Sequence, residues 1–187
     1  MVSGGNSSPA PAESGVYYFR SDCAGFFRRL FILLVDLAVV TAAWMLATWI
    51  WEGSTPESDQ DHLLYLAAWG AFVFAYLVVA ESYGHTLGFW LAGVRIVTLG
   101  GERPSLLRMT FRLLIWVIGP VHPAFDILWL GGDPQRQTLR DKFACTLVVR
   151  RNAVPAGRGL LRFNRHLFLN LNLGFFEVDQ PLEKAPK

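Results

Sequence analysis

One long apolar run constrains this chain more than any other feature. Residues 27–51 begin with two arginines, continue with almost no polar side chains and end among tryptophans. A bilayer span needs about 20 consecutive, mostly apolar residues, and basic residues at one end with aromatic residues at the other are typical of membrane interfaces. The run therefore predicts a transmembrane helix, although Asp36 lies within it.

A second apolar run, residues 63–83, has Glu81 as its only charged side chain and is also long enough to span a bilayer. The loop between the runs contains four acids and no lysine or arginine, whereas the segments before and after the runs are rich in arginine. Lysine and arginine favour the cytoplasmic side of a membrane. This bias predicts a multi-pass protein of the cell inner (plasma) membrane with both termini in the cytoplasm.

The regions around the spans divide the chain into three parts. Residues 1–23 are mostly Ser, Gly, Pro and Ala at their start and predict a flexible cytoplasmic tail. They lack the basic and apolar regions of a signal peptide, so we expect the first span to remain as an anchor. A membrane domain is predicted over residues 24–151, and a C-terminal amphipathic extension with a disordered end over residues 152–187.

A third apolar block covers about residues 106–132, but Gly119, Pro120 and Pro123 interrupt it. Prolines inside a straight helix remove hydrogen bonds and clash with the preceding turn. A full crossing would also place the basic residues that follow on the outer side, against the charge bias. We therefore predict a broken or re-entrant segment instead of a third full span.

Two short β-branched stretches, VRIVTL at residues 94–99 and CTLVVRR at residues 145–151, are typical of strands. They could pair as a small cytoplasmic element. The extension is ambiguous, because residues 160–168 suit an interfacial amphipathic helix whereas LFLNLNL at residues 167–173 alternates like a strand. The predicted fold class is an all-α membrane protein with two transmembrane helices, a broken or re-entrant third segment and a small cytoplasmic β-like element.

Four polar residues in the apolar blocks need a physical explanation: Asp36, Glu81, His122 and Asp126. A charge inside a span costs at least about 2.5–3.5 kcal/mol, so it normally faces protein, pairs with another group and marks function. Asp36 and Glu81 fall in the same leaflet if the spans are antiparallel, and two nearby carboxylates could share a proton or a cation. His122 and Asp126 stand one helical turn apart and could extend a proton or cation relay.

The alternative is a structural role for Asp36, in which hydrogen bonds hold it against a neighbouring helix. The side chains that could serve as partners are Thr41, Thr48, Tyr76 and Glu81.

No pattern in the sequence indicates an enzyme. It has no phosphate-binding loop, no dinucleotide fingerprint and no metalloprotease motif, and Ser and His are too sparse to nominate a catalytic triad. The two cysteines, Cys23 and Cys145, show no metal-ligand spacing, and the net charge of +2 is too weak to indicate nucleic-acid binding. We predict a non-enzymatic protein with no cofactor, no metal and no nucleic-acid partner.

Three stretches occur in order along the chain: AGFFRRLFILLVD at residues 24–36, GHTLGFWLAGVRIV at residues 84–97 and DPQRQTLRDKFACTLVV at residues 133–149. Together they resemble the RDD family of small membrane proteins, named for an Arg-Asp-Asp set, over about residues 24–150. The resemblance carries that set to Arg29, Asp36 and Asp141. It carries an interfacial motif to Gly84, Thr86, Gly88, Gly93 and Arg95. The chain departs from the family at Phe89, where a basic residue is common, and at Cys145, which replaces a usual glycine.

The resemblance implies that Arg29, Asp36 and Asp141 form a polar network that fastens the cytoplasmic segment to the helices, since the arginine fork can meet carboxylates bidentately. Some members of the family are linked to monovalent cation/proton exchange, and others act as membrane interaction or regulatory partners. A chain this small rarely builds a transport path alone, so besides the lipid bilayer we expect a homo-oligomer or another membrane protein as partner. The first hypothesis is an accessory or interaction subunit. The alternative is an antiporter that moves monovalent cations and protons with Asp36.

Overall fold

The computed structural model of the protein describes residues 14–52, 58–118, 129–168 and 171–179. Its longest helix, α1, runs over Phe26–Glu52. Helix α2, Asp59–Phe74, begins with a capping box in which the side chains of Ser58 and Asp61 each accept a hydrogen bond from the other residue's backbone N–H. The same helix continues as a π-helix over Ala75–Ala80.

Helices α1 and α2 are long and apolar enough to cross a membrane. The candidate spans are Phe26–Trp51, with a mean hydropathy of 2.4, and Gln60–Ala80, with 2.1. In the most apolar 18-residue stretch of each helix, only 11% and 6% of the residues are buried inside the protein. Water-soluble proteins rarely expose contiguous apolar surface of this extent, so the two helices favour a membrane environment.

Three shorter helices follow: α3 over Leu87–Ala92, α4 over Leu106–Ile118 and α5 over Leu139–Phe143. Helix α4 is the start of the predicted third segment, and it buries Met109 and Arg112 while exposing Leu107. Residues 119–128, which contain both interrupting prolines, lie outside the described residues. The broken or re-entrant path of this segment therefore stays a prediction.

The strands form two antiparallel sheets. In the first, β2 (Val94–Thr98) pairs with β3 (Thr146–Arg150). In the second, β1 (Ser14–Tyr17), β4 (Gly157–Phe168) and β5 (Leu171–Val178) lie in the order β1-β4-β5. The backbone N–H of Val16 in β1 donates to the carbonyl of Leu99, just after β2, at 2.7 Å, which links the two sheets.

The β2–β3 pair lies between two apolar cores because its side chains alternate between its faces. On one face, Val97, Leu147 and Val149 pack with side chains of the three-stranded sheet. On the other face, Ile96 and Val148 pack with side chains of α1, α3 and α4. This pair of strands therefore connects the three-stranded sheet to the helices.

The all-α part of the predicted fold class is wrong, because the described residues contain two sheets as well as the helices. The pairing of VRIVTL with CTLVVRR is present as β2 and β3. The extension forms the β4–β5 hairpin and not an interfacial helix, so the alternation in LFLNLNL was the better signal. The predicted flexible tail over residues 1–23 also differs from the structure, because Ser14–Tyr17 pairs with β4 near the other end of the chain.

The turn after α5 places Cys145 in the left-handed region, with φ of 51°. It follows Ala144, the C-cap residue of α5, at the position where helices commonly end in glycine. A residue with a Cβ costs about 1–2 kcal/mol in this conformation, and glycine avoids that cost. Glycine also has greater conformational entropy in the unfolded chain, which offsets part of the stabilisation. We expect Cys145→Gly to raise the free energy of unfolding by about 0.5–1 kcal/mol, measured by thermal unfolding in detergent. Cys145→Ala is the control, since it removes the thiol and keeps the Cβ; equal stability of the two variants would contradict the prediction.

Candidate functional site

The most buried charged group of the described residues is Asp141, in α5. Thr138 is the N-cap of this helix, and Thr138 and Asp141 form a capping box that holds the carboxylate at the first turn. Asp141 is fully buried. Its Oδ2 lies 2.6 Å from Nη1 of Arg29, which projects from α1. A second nitrogen of Arg29 donates to the carbonyl of Arg136 at 2.8 Å, so this side chain joins α1 to the loop before α5.

A second arginine, Arg112 of α4, contacts the other oxygen of the same carboxylate. Its Nε and Nη2 lie 2.9 and 2.7 Å from Oδ1 of Asp141. Its Nη1 lies 2.5 Å from Oε1 of Glu81, at the end of the π-helix. Arg112 is only 2% exposed. The network Arg29–Asp141–Arg112–Glu81 therefore joins α1, α2, α4 and α5 through charged groups.

The electrostatics of Asp141 follow from burial and from its neighbours. Burial raises the pKa of a carboxyl group, and Arg29, Arg112 and Arg140 oppose that effect and hold the pKa of Asp141 well below its usual range. The carboxylate is ionised at any physiological pH. It therefore acts as a permanent negative charge that neutralises buried arginines.

Asp36 belongs to a separate cluster. Its Oδ1 accepts hydrogen bonds from the hydroxyl of Tyr76 at 2.8 Å and from the backbone N–H of Gly88 at 2.9 Å. Its Oδ2 accepts from the hydroxyl of Thr86 at 3.1 Å. The carboxylate of Asp36 thus attaches α3 to the middle of α1 and to the π-helix of α2.

The predicted interfacial motif forms the start and end of α3 and the strand that follows. Thr86 is the N-cap, and its hydroxyl accepts from the N–H of Phe89 while it donates to Asp36. Gly84 and Gly93 adopt the left-handed conformation, with φ of 67° and 63°. Arg95 lies on β2 and donates to the carbonyl of Ala153 at 3.0 Å. The motif therefore builds the connection between α2 and β2.

The π-helix gives Tyr76 and Glu81 a shared direction. These residues are five apart, and in an α-helix residues five apart point about 140° away from each other. The wider i→i+5 winding of a π-helix brings them closer to one face. Tyr76 contacts Asp36 and Glu81 contacts Arg112, so one face of this segment serves both polar clusters.

A cavity of about 180 Å³ lies between the two clusters. Its charged lining residues are Arg29, Asp36, Glu81, Arg112 and Arg140, and the rest of its wall is apolar. A cavity of this volume has room for several water molecules, and the charged groups on its wall offer them hydrogen-bond partners. The carboxylates of Asp36 and Glu81 thus line one space, although no direct contact joins them in the described residues.

The structure brings together only part of the predicted site. Arg29 and Asp141 are ion-paired, whereas Asp36 bonds Tyr76 and the α3 motif instead of joining that pair. Of the four partners suggested for Asp36, Tyr76 makes the contact; the hydroxyl of Thr48 donates to the carbonyl of Met45. His122 and Asp126 lie outside the described residues, so their role in a relay stays a prediction.

Sequence reasoning missed Arg112 and Thr138. Arg112 counted only as part of the basic bias of its segment, and no local pattern showed that it faces inward. Thr138 was detectable, because T-L-R-D has the form of a capping box before a short helix. Recognising it would have placed Asp141 at a helix N-terminus.

A further polar cluster attaches the C-terminal hairpin. Nζ of Lys142 lies 2.6 Å from Oδ1 of Asp133 and 2.5 Å from Oε1 of Glu177 in β5. Burial raises the pKa of Glu177, but hydrogen bonds from Asn164 and Lys142 and the charge of Lys142 outweigh it, so the pKa is lowered. Lys142 is adjacent to Asp141, so α5 contacts the helices through one residue and the hairpin through the next.

Comparison with known proteins gives one family and one relative. The family described as RDD family matches residues 23–145. A protein of Bacillus subtilis (strain 168) named "Uncharacterized protein YckC" is 28% identical over 92 residues, which are 49% of this chain and 58% of that protein. The chain thus matches little more than half the length of this relative. No solved structure matches the chain significantly.

Proposed function

This chain belongs to the RDD family, and from that premise we propose that it is a non-enzymatic accessory or interaction subunit embedded in the cell inner membrane. One observation carries the proposal. Each acid of the two clusters, namely Asp36, Glu81 and Asp141, is bound by donors of the same chain. Such groups hold a scaffold in one conformation, because a buried polar group with its partners in place favours a single packing.

The proposed placement rests on exposed apolar surface and on charge. Helices α1 and α2 bury few of their apolar side chains inside the protein, and a bilayer is the medium in which such a surface is stable. The arginine-rich segments flank the pair, and the acidic loop lies between them. By the positive-inside rule, the strands and both termini lie in the cytoplasm and the chain is multi-pass.

The proposed partner is another membrane protein or a second copy of this chain. The surfaces that α1 and α2 expose are available to another membrane helix, and close approach between helices is easiest where side chains are small. At Gly70 in α2, an added Cβ would have no atom within 4 Å. Gly70 thus marks a side of α2 that this chain leaves open.

Photo-crosslinking in native membranes tests the interaction role. A photoreactive amino acid at Gly70 should give an adduct of defined mass, whereas the same residue at Met109, which is 1% exposed, should give none. An adduct that contains peptides of a second protein identifies a partner protein. An adduct of twice the chain mass that contains only this chain identifies a homo-oligomer. A chain without any adduct at Gly70, and monomeric after mild extraction, would contradict the proposal.

The second candidate function is monovalent cation/proton antiport, and the cavity is the observation that favours it. Asp36 and Glu81 line the same space, and intramembrane carboxylates that face a cavity are typical of proton and ion pathways. In this proposal Asp36 exchanges a proton for a cation, and an oligomer completes the path through the membrane.

Asp36→Asn separates the two proposals because it preserves most of the structural contacts. Asparagine keeps one oxygen that can accept from Tyr76 and from the Gly88 N–H, and it loses the charge and the acceptor for Thr86. We expect a loss of about 1–2 kcal/mol in the free energy of unfolding. In proteoliposomes, the accessory role predicts no proton movement on adding Na⁺, K⁺ or Li⁺ to either protein, and the antiport role predicts exchange that vanishes in the variant.

The control for this measurement is Asp179→Asn, which removes a carboxylate that is largely exposed and far along the chain. Cation-dependent exchange that persists in Asp179→Asn and disappears in a folded Asp36→Asn would overturn the accessory proposal.

A further inference from the structure

A cleft at the N-terminal end of α1 lies outside the clusters described above. It has a volume of about 1000 Å³, at the upper end of the range for ligand pockets. Four arginines line it, Arg20, Arg28, Arg136 and Arg150, and no acid is among the described residues of its lining. Asp22 is close in sequence but does not line the cleft. The cleft is therefore strongly cationic.

These arginines are largely available to a ligand. Arg136 has a long contact of 3.5 Å from Nη1 to the carbonyl of Cys23. Within residues 14–52, 58–118, 129–168 and 171–179, Arg20, Arg28 and Arg150 form no ion pair with a carboxylate. Guanidinium groups that line one cleft without carboxylate partners favour an anion, and they bind phosphate oxygens through paired N–H groups.

The rest of the cleft wall indicates that the anion carries hydrocarbon. Phe27 is 82% exposed, Leu91 51% and Phe31 46%, and all three line the cleft. Phe27 and Phe31 belong to the start of the first candidate span, and Leu91 belongs to α3. A soluble phosphate has no hydrocarbon that could contact this apolar surface, whereas a phospholipid presents a phosphate and acyl chains together.

We propose that this cleft is a binding site for the headgroup of an anionic phospholipid of the cytoplasmic leaflet. The arginines contact the phosphate, and Phe27, Phe31 and Leu91 lie along the first part of the acyl chains. The amides of the first turn of α1 add positive partial charge at the same end. This inference rests on the proposed membrane placement, with the N-terminal end of α1 on the cytoplasmic side, and applies to an accessory subunit and to an antiporter alike.

The test uses the purified full chain in neutral detergent. Short-chain phosphatidylglycerol, short-chain phosphatidylcholine and glycerol phosphate are titrated separately, and bound molecules are counted by native mass spectrometry. We expect saturable binding of phosphatidylglycerol, with weak binding of the other two. Equal binding of phosphatidylcholine would contradict a site for anionic lipid, and equal binding of glycerol phosphate would show a site for a soluble anion instead.

The variant Arg28→Gln/Arg150→Gln tests the residues. An arginine near an anionic surface contributes about fivefold in affinity, so two should weaken phosphatidylglycerol binding about 30-fold. The matched control is Arg158→Gln/Arg165→Gln, which removes two exposed positive charges from β4, outside the cleft. A similar loss of phosphatidylglycerol affinity in both variants would show that binding depends only on the net charge of the protein, and it would overturn the proposal.

Folding of the variants is checked by melting in the same detergent. If Arg28→Gln/Arg150→Gln does not fold, Arg20→Gln alone, at an exposed position, should weaken binding about fivefold. Unchanged binding in that variant would count against the site. Arg28→Lys/Arg150→Lys keeps both charges and should retain most of the preference for phosphatidylglycerol.

Discussion

Replacing Asp141 with asparagine should destabilise the protein by about 3–5 kcal/mol, because it leaves Arg29 and Arg112 buried without their shared counter-charge. The side chain of Asp141 is fully buried, and those of Arg29 and Arg112 are 9% and 3% exposed, so water cannot replace the lost partner. Asparagine has nearly the same volume, so the main changes are the lost charge and one acceptor oxygen that becomes an NH2 donor. The measurement is thermal unfolding of both proteins in the same detergent, monitored by tryptophan fluorescence.

The control is Asp179→Asn, which removes a carboxylate paired with Arg162 at 3.3 Å on the surface. Both partners are about half exposed or more, so this pair should contribute at most about 1 kcal/mol. If the two substitutions had similar effects, the buried network would not be what holds α5 to the helices.

The pH dependence of the same effect has a definite sign. The folded-state pKa of Asp141 lies below the value of an ordinary aspartate, so its ion pairs contribute fully above about pH 4 and are lost as the pH falls through the folded-state pKa. The difference in stability between wild type and Asp141→Asn should be constant near neutral pH and shrink only in strong acid. A difference that already changes near pH 6 would point to another titrating group.

Gly88→Ala should destabilise the protein by about 2–3 kcal/mol through overpacking. A Cβ at this position would lie 2.7 Å from the carbonyl oxygen of Ile32 and 2.9 Å from Cγ of Asp36. The nearest atom is backbone of α1, so α3 must move away as a unit. That movement also lengthens the hydrogen bond from the Gly88 N–H to Asp36.

The control is the same substitution at Gly70, where an added Cβ meets nothing within 4 Å. Alanine is the better helix former, so Gly70→Ala should be neutral or stabilising by up to about 1 kcal/mol. The two variants are thus expected to differ in sign under identical conditions of thermal unfolding. Destabilisation by both, to a similar extent, would mean that helix context and not the approach of α3 to α1 governs glycine in this protein.

Phe89 forms part of the surroundings of Asp36. Phe89 is buried and lines the cavity beside that carboxylate. The donors to Asp36 are Tyr76, Thr86 and the backbone of Gly88. This arrangement is consistent with the structural role that the proposed function gives to Asp36.

The sequence by itself determined the features that depend on neighbouring residues. Two apolar runs predicted both candidate spans. Helix length follows from the rise per residue, and each run is long enough as a helix to cross the hydrocarbon core of a bilayer. The β-branched stretches predicted β2 and β3, because strand signals are also local. The Arg-Asp-Asp resemblance points to Arg29 and Asp141, which are in contact at 2.6 Å.

Only the tertiary structure decided which polar group meets which. Arg112 and Glu81 join Asp141 because α4 and the π-helix of α2 pack side by side, and their positions in the chain are tens of residues apart. Asp36 bonds α3 and not the Arg29–Asp141 pair because α3 approaches α1 closely, which a glycine at position 88 permits. Strand β1 exists because β4, near the other end of the chain, supplies its hydrogen bonds. In each case the stabilising contact is non-local, so no pattern within a single stretch of sequence could have shown it.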